Sequence, residues 1–155
     1  MPSFKTTRRV PHSAQKMFAL VADVERYPEF LPLCTGLRVL RRMPTEEGKE
    51  TIVAEMKVGY KAIAERFTTK VTTDPDKLEI HVSYIDGPFK YLENRWEFQD
   101  AGEGACDVRF FIDYEFKSRT LGMVMGAMFE RAFQMFTTAF ESRADLVYGR
   151  PQPTG

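Results

Sequence analysis

The sequence has no surplus of either charge: 22 Lys and Arg stand against 22 Asp and Glu in 155 residues. Counterion release on a polyanion needs a cationic excess, so direct DNA binding is not expected. Only two cysteines occur, Cys34 and Cys106, far apart and without a CxxC pair. That excludes a disulfide framework or a zinc site of the usual spacing, although one bridge between them stays open. They read as two inert, partly buried thiols in a reducing cytoplasm. No apolar run approaches the ~18 residues that span a bilayer, and Met1 to Arg9 holds no segment resembling a secretory signal. His12 follows Pro11 at a strand exit and His81 sits on a polar strand face, so both read as surface residues. No GxSxG, HExxH, GxGxxG or Walker pattern occurs. Neither a catalytic residue nor a metal site nor a required cofactor is expected.

What the chain does hold is aromatic and sulfur mass: 13 Phe, 6 Tyr, 1 Trp and 8 Met. Its charge is also unevenly spread. Residues 1–42 carry 8 basic and 3 acidic groups, residues 43–115 carry 9 and 16, and residues 116–155 carry 5 and 3. An anionic partner would meet the two ends of the chain and not its middle. The length suits one domain, 1–149, burying roughly 70% of its unfolded surface, with 150–155 as a disordered tail.

Phe4 to Val10 alternates as a first strand and Pro11 closes it. Ser13 occupies an N-cap position before Met17, Phe18, Leu20 and Val21, and Asp23 precedes a second short helical turn. Tyr27 to Cys34 is apolar and kinked by Pro28 and Pro32. The middle then alternates with period two: Ile52/Ala54/Met56/Val58, Ile63/Phe67/Val71, Leu78/Ile80/Val82/Tyr84, Leu92/Trp96/Phe98, and Cys106 through Phe116. Such alternation marks antiparallel strands with one wet and one buried face. The separators, 44–48, Gly59-Tyr60, 74–76, 86–88 and 101–104, are turn-like.

From Ser118 to about Tyr148 the period is helical. Leu121, Met125, Met128, Phe129, Ala132, Phe136, Ala139, Phe140 and Val147 share one side; Glu130, Gln134, Thr137, Glu141 and Asp145 share the other. Gly122 and Gly126 suggest close packing against a neighbour. The order is strand, one or two short helices, six antiparallel strands and one long helix, an α+β class. Only that helix is large enough to cover the sheet's apolar face. A cavity is expected between them, lined by Phe30, Leu31, Met56, Phe67, Tyr84, Phe89, Trp96, Phe110, Tyr114, Met125, Met128, Phe129 and Phe136. Four polar residues fall on apolar faces: Arg8, Glu65, Asn94 and Arg143. Either each pairs internally, sits at a sheet edge or belongs to another register, or one or two of them act as polar handles in a greasy pocket.

The string Asp23-Val24-Glu25-Arg26-Tyr27-Pro28-Glu29-Phe30-Leu31-Pro32-Leu33-Cys34 and the string Asp86-Gly87-Pro88-Phe89 running to Leu92 and Trp96 carry a resemblance. Val58-Gly59-Tyr60, 139–144 and Tyr148-Gly149 support it. Over nearly the whole chain, it resembles the START-like superfamily of polyketide cyclases, dehydrases and lipid transport proteins. Within it, the chain is similar to the branch of the coenzyme Q-binding proteins and the ribosome association toxins.

The resemblance implies a helix-grip fold, with about seven antiparallel strands wrapped around one C-terminal helix and two short helices after the first strand. It implies a prenylated quinone, ubiquinone, as ligand, and a non-catalytic carrier or chaperone role in respiratory electron transport. An isoprenoid tail needs apolar area alone, at ~25 cal/mol per Å²; Arg8, Asn94, Tyr114 or Arg143 would meet the head group. Peripheral contact with the inner membrane would follow, with the kinked Tyr27 to Leu33 segment either a lid or membrane-facing lip or simply packed against the helix end. Two alternatives accompany this: a ribosome-binding module using the basic first 42 residues, and a cyclase or dehydratase using Glu65 and Tyr114 as acid or base.

Overall fold

The computed structural model describes residues 3–44, 48–60 and 63–149. Strand β1 (Ser3–Val10) leads into helix α1 (Ala14–Ala22) and a short 3-10 helix (Val24–Glu29). Strands β2 (Cys34–Pro44), β3 (Glu50–Tyr60), β4 (Ile63–Asp74), β5 (Glu79–Asp86), β6 (Phe89–Asp100) and β7 (Cys106–Phe116) follow, then helix α2 (Arg119–Tyr148). One seven-stranded antiparallel sheet results, in the order β1-β7-β6-β5-β4-β3-β2. The first strand therefore pairs with the last, and the segment between β1 and β2 passes from one sheet edge to the other. The α+β class and the grip of sheet on helix are as the sequence implies. The turn at residues 45–47 and the tail at 150–155 lie outside the described residues, as does most of the turn after Tyr60.

Local chemistry sets the boundaries. The Ser13 hydroxyl accepts from the Lys16 amide (3.2 Å) and the Ser118 hydroxyl from the Leu121 amide (2.9 Å), each satisfying a free N–H at a helix start. Gly149, at φ 86°, ends α2 with its N–H on the Asp145 carbonyl. The inner sheet face and α2 enclose a continuous apolar core. Both cysteines are buried and unbridged, and burial pushes each thiol up to about 11.

Several expectations need correction. β2 shows no clean alternation because its register slips twice, between Cys34 and Gly36 and between Val39 and Arg41. Leu78 is not a strand residue but sits in the turn before β5 at φ 55°. His12 is not on the surface: it is buried, and its Nε2 lies 2.7 Å from Asp145 Oδ1 on α2. On α2, Thr137 is buried whereas Val147 is exposed. The helix is turned slightly from the expected stripe, so Phe133 and Ala144 enter the core. A side chain at Gly126 would meet no atom within 4 Å, so that glycine serves no close packing.

Candidate functional site: an apolar cavity between sheet and helix

Helix α2 packs closely on β7, β1 and α1 and stands off from β2 to β5. The gap is closed partly by side chains and partly by nothing. At the α2 N-terminal end aromatic rings fill it: Phe89 is fully buried among Phe67, Tyr84, Tyr114, Phe116 and Phe129, with ring centroids 4.9–6.0 Å away. Further along, a cavity opens with about 920 Å³ of space free of protein atoms, part of it open to solvent.

Its floor is the inner face of the sheet: Leu37 from β2, Ala54, Met56 and Val58 from β3, Phe67, Thr69 and Val71 from β4, Ile80 and Val82 from β5, Leu92, Asn94 and Trp96 from β6, and Phe110 and Ile112 from β7. Its roof is Phe129, Ala132, Phe133, Phe136 and Phe140 of α2. Val24 and Tyr27 of the 3-10 helix, with Leu31, Pro32 and Leu33, close one end. Leu33 sits in this end wall at φ 68°, a left-handed conformation that costs a leucine about 1–2 kcal/mol.

Of the residues expected to line a cavity, the structure brings together Leu31, Met56, Phe67, Trp96, Phe110, Phe129 and Phe136. Tyr84, Phe89, Tyr114, Met125 and Met128 do not line it: Phe89 and Met125 are fully enclosed in the aromatic end, Tyr114 packs on Phe133 at 5.3 Å, and the Tyr84 hydroxyl accepts from the Phe89 amide. Phe30 lies outside, edge-on to Phe140 at 5.1 Å. Tyr27, Leu33, Leu37, Phe133 and the strand residues between the named ones were missed. Ala54, Val58, Val71, Ile80 and Val82 share the parity of residues already chosen, so alternation alone carried that signal.

The four polar residues separate clearly. Asn94 lines the cavity; its amide N–H donates to the Phe111 carbonyl (2.8 Å) and its oxygen accepts from the Trp96 indole (3.0 Å). Each half of that amide keeps one further hydrogen-bonding position. Arg8 projects from the sheet's outermost strand to Glu141 of α2 at 2.6 Å and does not reach the cavity. Glu65 is half-buried near the start of β4 and is not among the lining residues. Arg143 pairs with Glu29 at 2.5 Å and lies over the Phe30 ring at 5.1 Å. It is a latch between α2 and the end wall, not a handle within. Hydrogen bonds from Arg26 and Arg143 hold the Glu29 carboxyl below its ordinary range. Tyr27 completes the latch region: its hydroxyl donates to the Val21 carbonyl, its ring meets Phe140 at 5.4 Å, and burial pushes its phenol up.

Among the described residues, no Asp, Glu, His, Lys, Arg or Cys lines the cavity. The acid–base pair suggested for a cyclase, Glu65 and Tyr114, is therefore not assembled there. Thr69 and Asn94, with the already engaged Tyr27, are the polar side chains of the lining. Replacing Asn94 by leucine should leave the buried Trp96 indole N–H and the Phe111 carbonyl without their partner, at about 1–3 kcal/mol each before any packing gain. Chemical denaturation should record a loss of about 2 kcal/mol or more, and an unchanged midpoint would show that water replaces the amide without cost.

A twisted antiparallel sheet holding one long C-terminal helix over an apolar cavity defines the START-like, helix-grip class. The chain belongs to the polyketide cyclase / dehydrase and lipid transport family, whose model matches residues 10–141. It is 35% identical over 148 residues to the ribosome association toxin RatA of Escherichia coli strain K12, covering 96% of this chain and 90% of that one. A mitochondrial coenzyme Q-binding protein of Xenopus laevis is 29% identical over 144 residues, covering 90% of this chain and 57% of that protein. The solution structure of an 18 kDa Caulobacter crescentus protein superposes with a TM-score of 0.78 at 36% identity, covering 97% of this chain and 100% of the other. Among the described residues no helix is long and apolar enough to cross a membrane.

Proposed function

We propose that the protein binds a lipid-like molecule in the sheet–helix cavity, that the ligand is a prenylated quinone such as ubiquinone, and that it acts as carrier or chaperone without catalysing a reaction. The observation that carries this reading is a lining of apolar and aromatic side chains in which, among the described residues, there is no carboxylate, imidazole, amine, guanidinium or thiol. Such a lining suits an isoprenoid tail, which has no hydrogen-bonding group. Asn94, with a donor and an acceptor position to spare, suits a quinone carbonyl at the ligand's head. The mitochondrial relative's name supports the choice of quinone. Peripheral contact with the inner membrane belongs to the same proposal, because a ligand of this kind resides in the bilayer.

The test is organic extraction of the purified protein followed by mass spectrometry, with uptake from quinone-loaded liposomes as a second arm. Quinone at a fixed molar ratio to protein is expected. Repeated recovery of empty protein with no uptake overturns the proposal.

A second reading is ribosome association. It is favoured by relatives of this name that match almost end to end. Sucrose-gradient profiles with added protein test it; unchanged free-subunit levels at stoichiometric excess count against it.

A further inference from the structure

The outer face of the sheet concentrates cations that lie far apart in sequence. Inner-face residues of β3 and β4 line the cavity, so Lys57 and Glu55 of β3 and Arg66 and Lys70 of β4 point outward. Directly paired residues share a face. Arg38 is opposite Glu55, which is opposite Thr68; Lys57 is opposite Arg66; Arg41 is opposite Val53, which is opposite Lys70. The bulge at Val39 brings Arg41 into this grid, since without it Arg41 would fall on the other face.

Five cations, Arg38, Arg41, Lys57, Arg66 and Lys70, thus occupy three adjacent strands, with Glu55 among them and Asp86 of β5 opposite Thr68 at their edge. All five are exposed, and among the described residues none forms an ion pair. The grid measures about 10 Å across strands and about 13 Å along them. Beyond it, across β5 to β7, the same face is mixed in charge: Glu79, Glu93, Glu97 and Asp113 alternate with Arg95 and Arg109.

We infer that this face, at β2 to β4, docks the phosphate backbone of RNA. Unpaired like charges side by side cost free energy on an isolated surface, and a row of phosphates relieves that cost. Three of the five are arginines, whose planar forks grip phosphate oxygens in pairs. A membrane surface fits less well. Between the cations lie Glu55 and half-buried Val53 and Thr68, and the exposed aliphatics nearby are two isolated residues at register slips, Leu40 in β2 and Ile85 in β5, and not a continuous apolar patch. The exposed Met123 and Val124 belong to α2, on the opposite side of the sheet. The choice of RNA over other polyphosphates rests on the ribosome-association reading.

Fluorescence anisotropy with a short labelled RNA hairpin tests the inference. Between ~50 and ~200 mM salt, the logarithm of the binding constant should fall with the logarithm of salt at a slope of about −3, as for about four neutralised phosphates. Joint substitution Arg38→Gln and Lys70→Gln should reduce that slope by about two and weaken binding about tenfold or more. Arg131→Gln, on the exposed side of α2, should leave both unchanged, as should the thermal midpoint of all variants. A flat salt dependence, or a double variant that binds like the parent, overturns the inference. So does binding to phosphatidylserine vesicles through these residues with no binding to the hairpin. Cosedimentation with ribosomal subunits that the double variant retains would keep ribosome association and remove this face from it. RNA binding that requires both residues, without such cosedimentation, would support the face and remove the ribosome reading.

Discussion

Replacing Gly87 with alanine is expected to cost roughly 3–5 kcal/mol, the sum of a strained backbone and an unavoidable clash. Gly87 turns the chain between β5 and β6 at φ 142°, where side chains other than hydrogen are disfavoured. An ideal Cβ there would stand 2.5 Å from the Phe67 Cβ and 2.9 Å from its Cα. The second of these is backbone in the middle of β4, so it cannot swing aside like the end of a flexible side chain. Phe67 also lines the cavity and packs edge-on against Phe89 at 5.4 Å. Relief by displacing it would therefore disturb the aromatic end and the cavity together. Thermal denaturation should show a midpoint lower by about 10 °C, taking 2–4 °C per kcal/mol for a chain of this size. A loss below about 1 kcal/mol would mean that the hairpin relaxes in a way the structure does not suggest.

Replacing Ala132 with tryptophan should empty the site without unfolding the protein. Ala132 faces the cavity from the middle of α2, and only its methyl group occupies that direction. An indole there would enter space that is already free of protein atoms, so the overpacking cost, about 1–3 kcal/mol in a filled core, should be mostly avoided. The same indole would occupy the volume assigned to the ligand. Lipid recovered by extraction, or taken up from liposomes, should fall about tenfold or more, the equivalent of losing ~1.4 kcal/mol of binding. Met135→Trp, on the exposed side of the same helix, is the matching control and should bind as the parent does. If Ala132→Trp still carries a full complement of lipid, the ligand lies elsewhere. The ribosome reading and the basic outer face would then have to stand without it.

The fold was largely legible because β3 to β7 alternate over most of their length, slipping only near Thr68 and Ile85 and between Phe89 and Tyr91, and α2 keeps a helical period through thirty residues. β2 was not legible, because two register slips move Leu37, Arg41 and their neighbours off a regular alternation. The site was legible only by face. Parity identifies that Met56 and Trp96 point inward, yet it says nothing about whether a neighbour fills the space in front of them. Phe89 and Met125 share the right face and are sealed in, because α2 comes close to β7 at that end. Arg8 shows the same limit from the polar side: its parity is inward, but the sheet edge lets it reach Glu141. His12 was misread because its partner, Asp145, lies 133 residues away. Charge counted along the chain does not show how charges group in space. Lys57, Arg66 and Lys70 belong to the acidic middle of the sequence, and pairing of the strands sets them beside Arg38 and Arg41 of the basic beginning.

The side-chain hydrogen bonds that tie the long helix to other elements gather, among the described residues, at its C-terminal end. Arg8 to Glu141, His12 to Asp145, Glu29 to Arg143 and the Lys16 carbonyl to Tyr148 tie it to β1, α1 and the loops on either side of α1, all within its last eight residues. Above the cavity, from Phe129 to Phe140, what meets the sheet is apolar. Those contacts have no preferred direction, so small adjustments of the helix over the cavity break no hydrogen bond, within the limits set at its other end by the two-residue link to β7 and the Lys117 amide on the Pro88 carbonyl. The roof of the cavity is thus the stretch of the helix held by apolar contact alone, between two fixed ends. For the proposed prenylated quinone, guests differing by an isoprene unit would meet the same apolar side chains, and discrimination among head groups would fall to Thr69 and Asn94 of the floor.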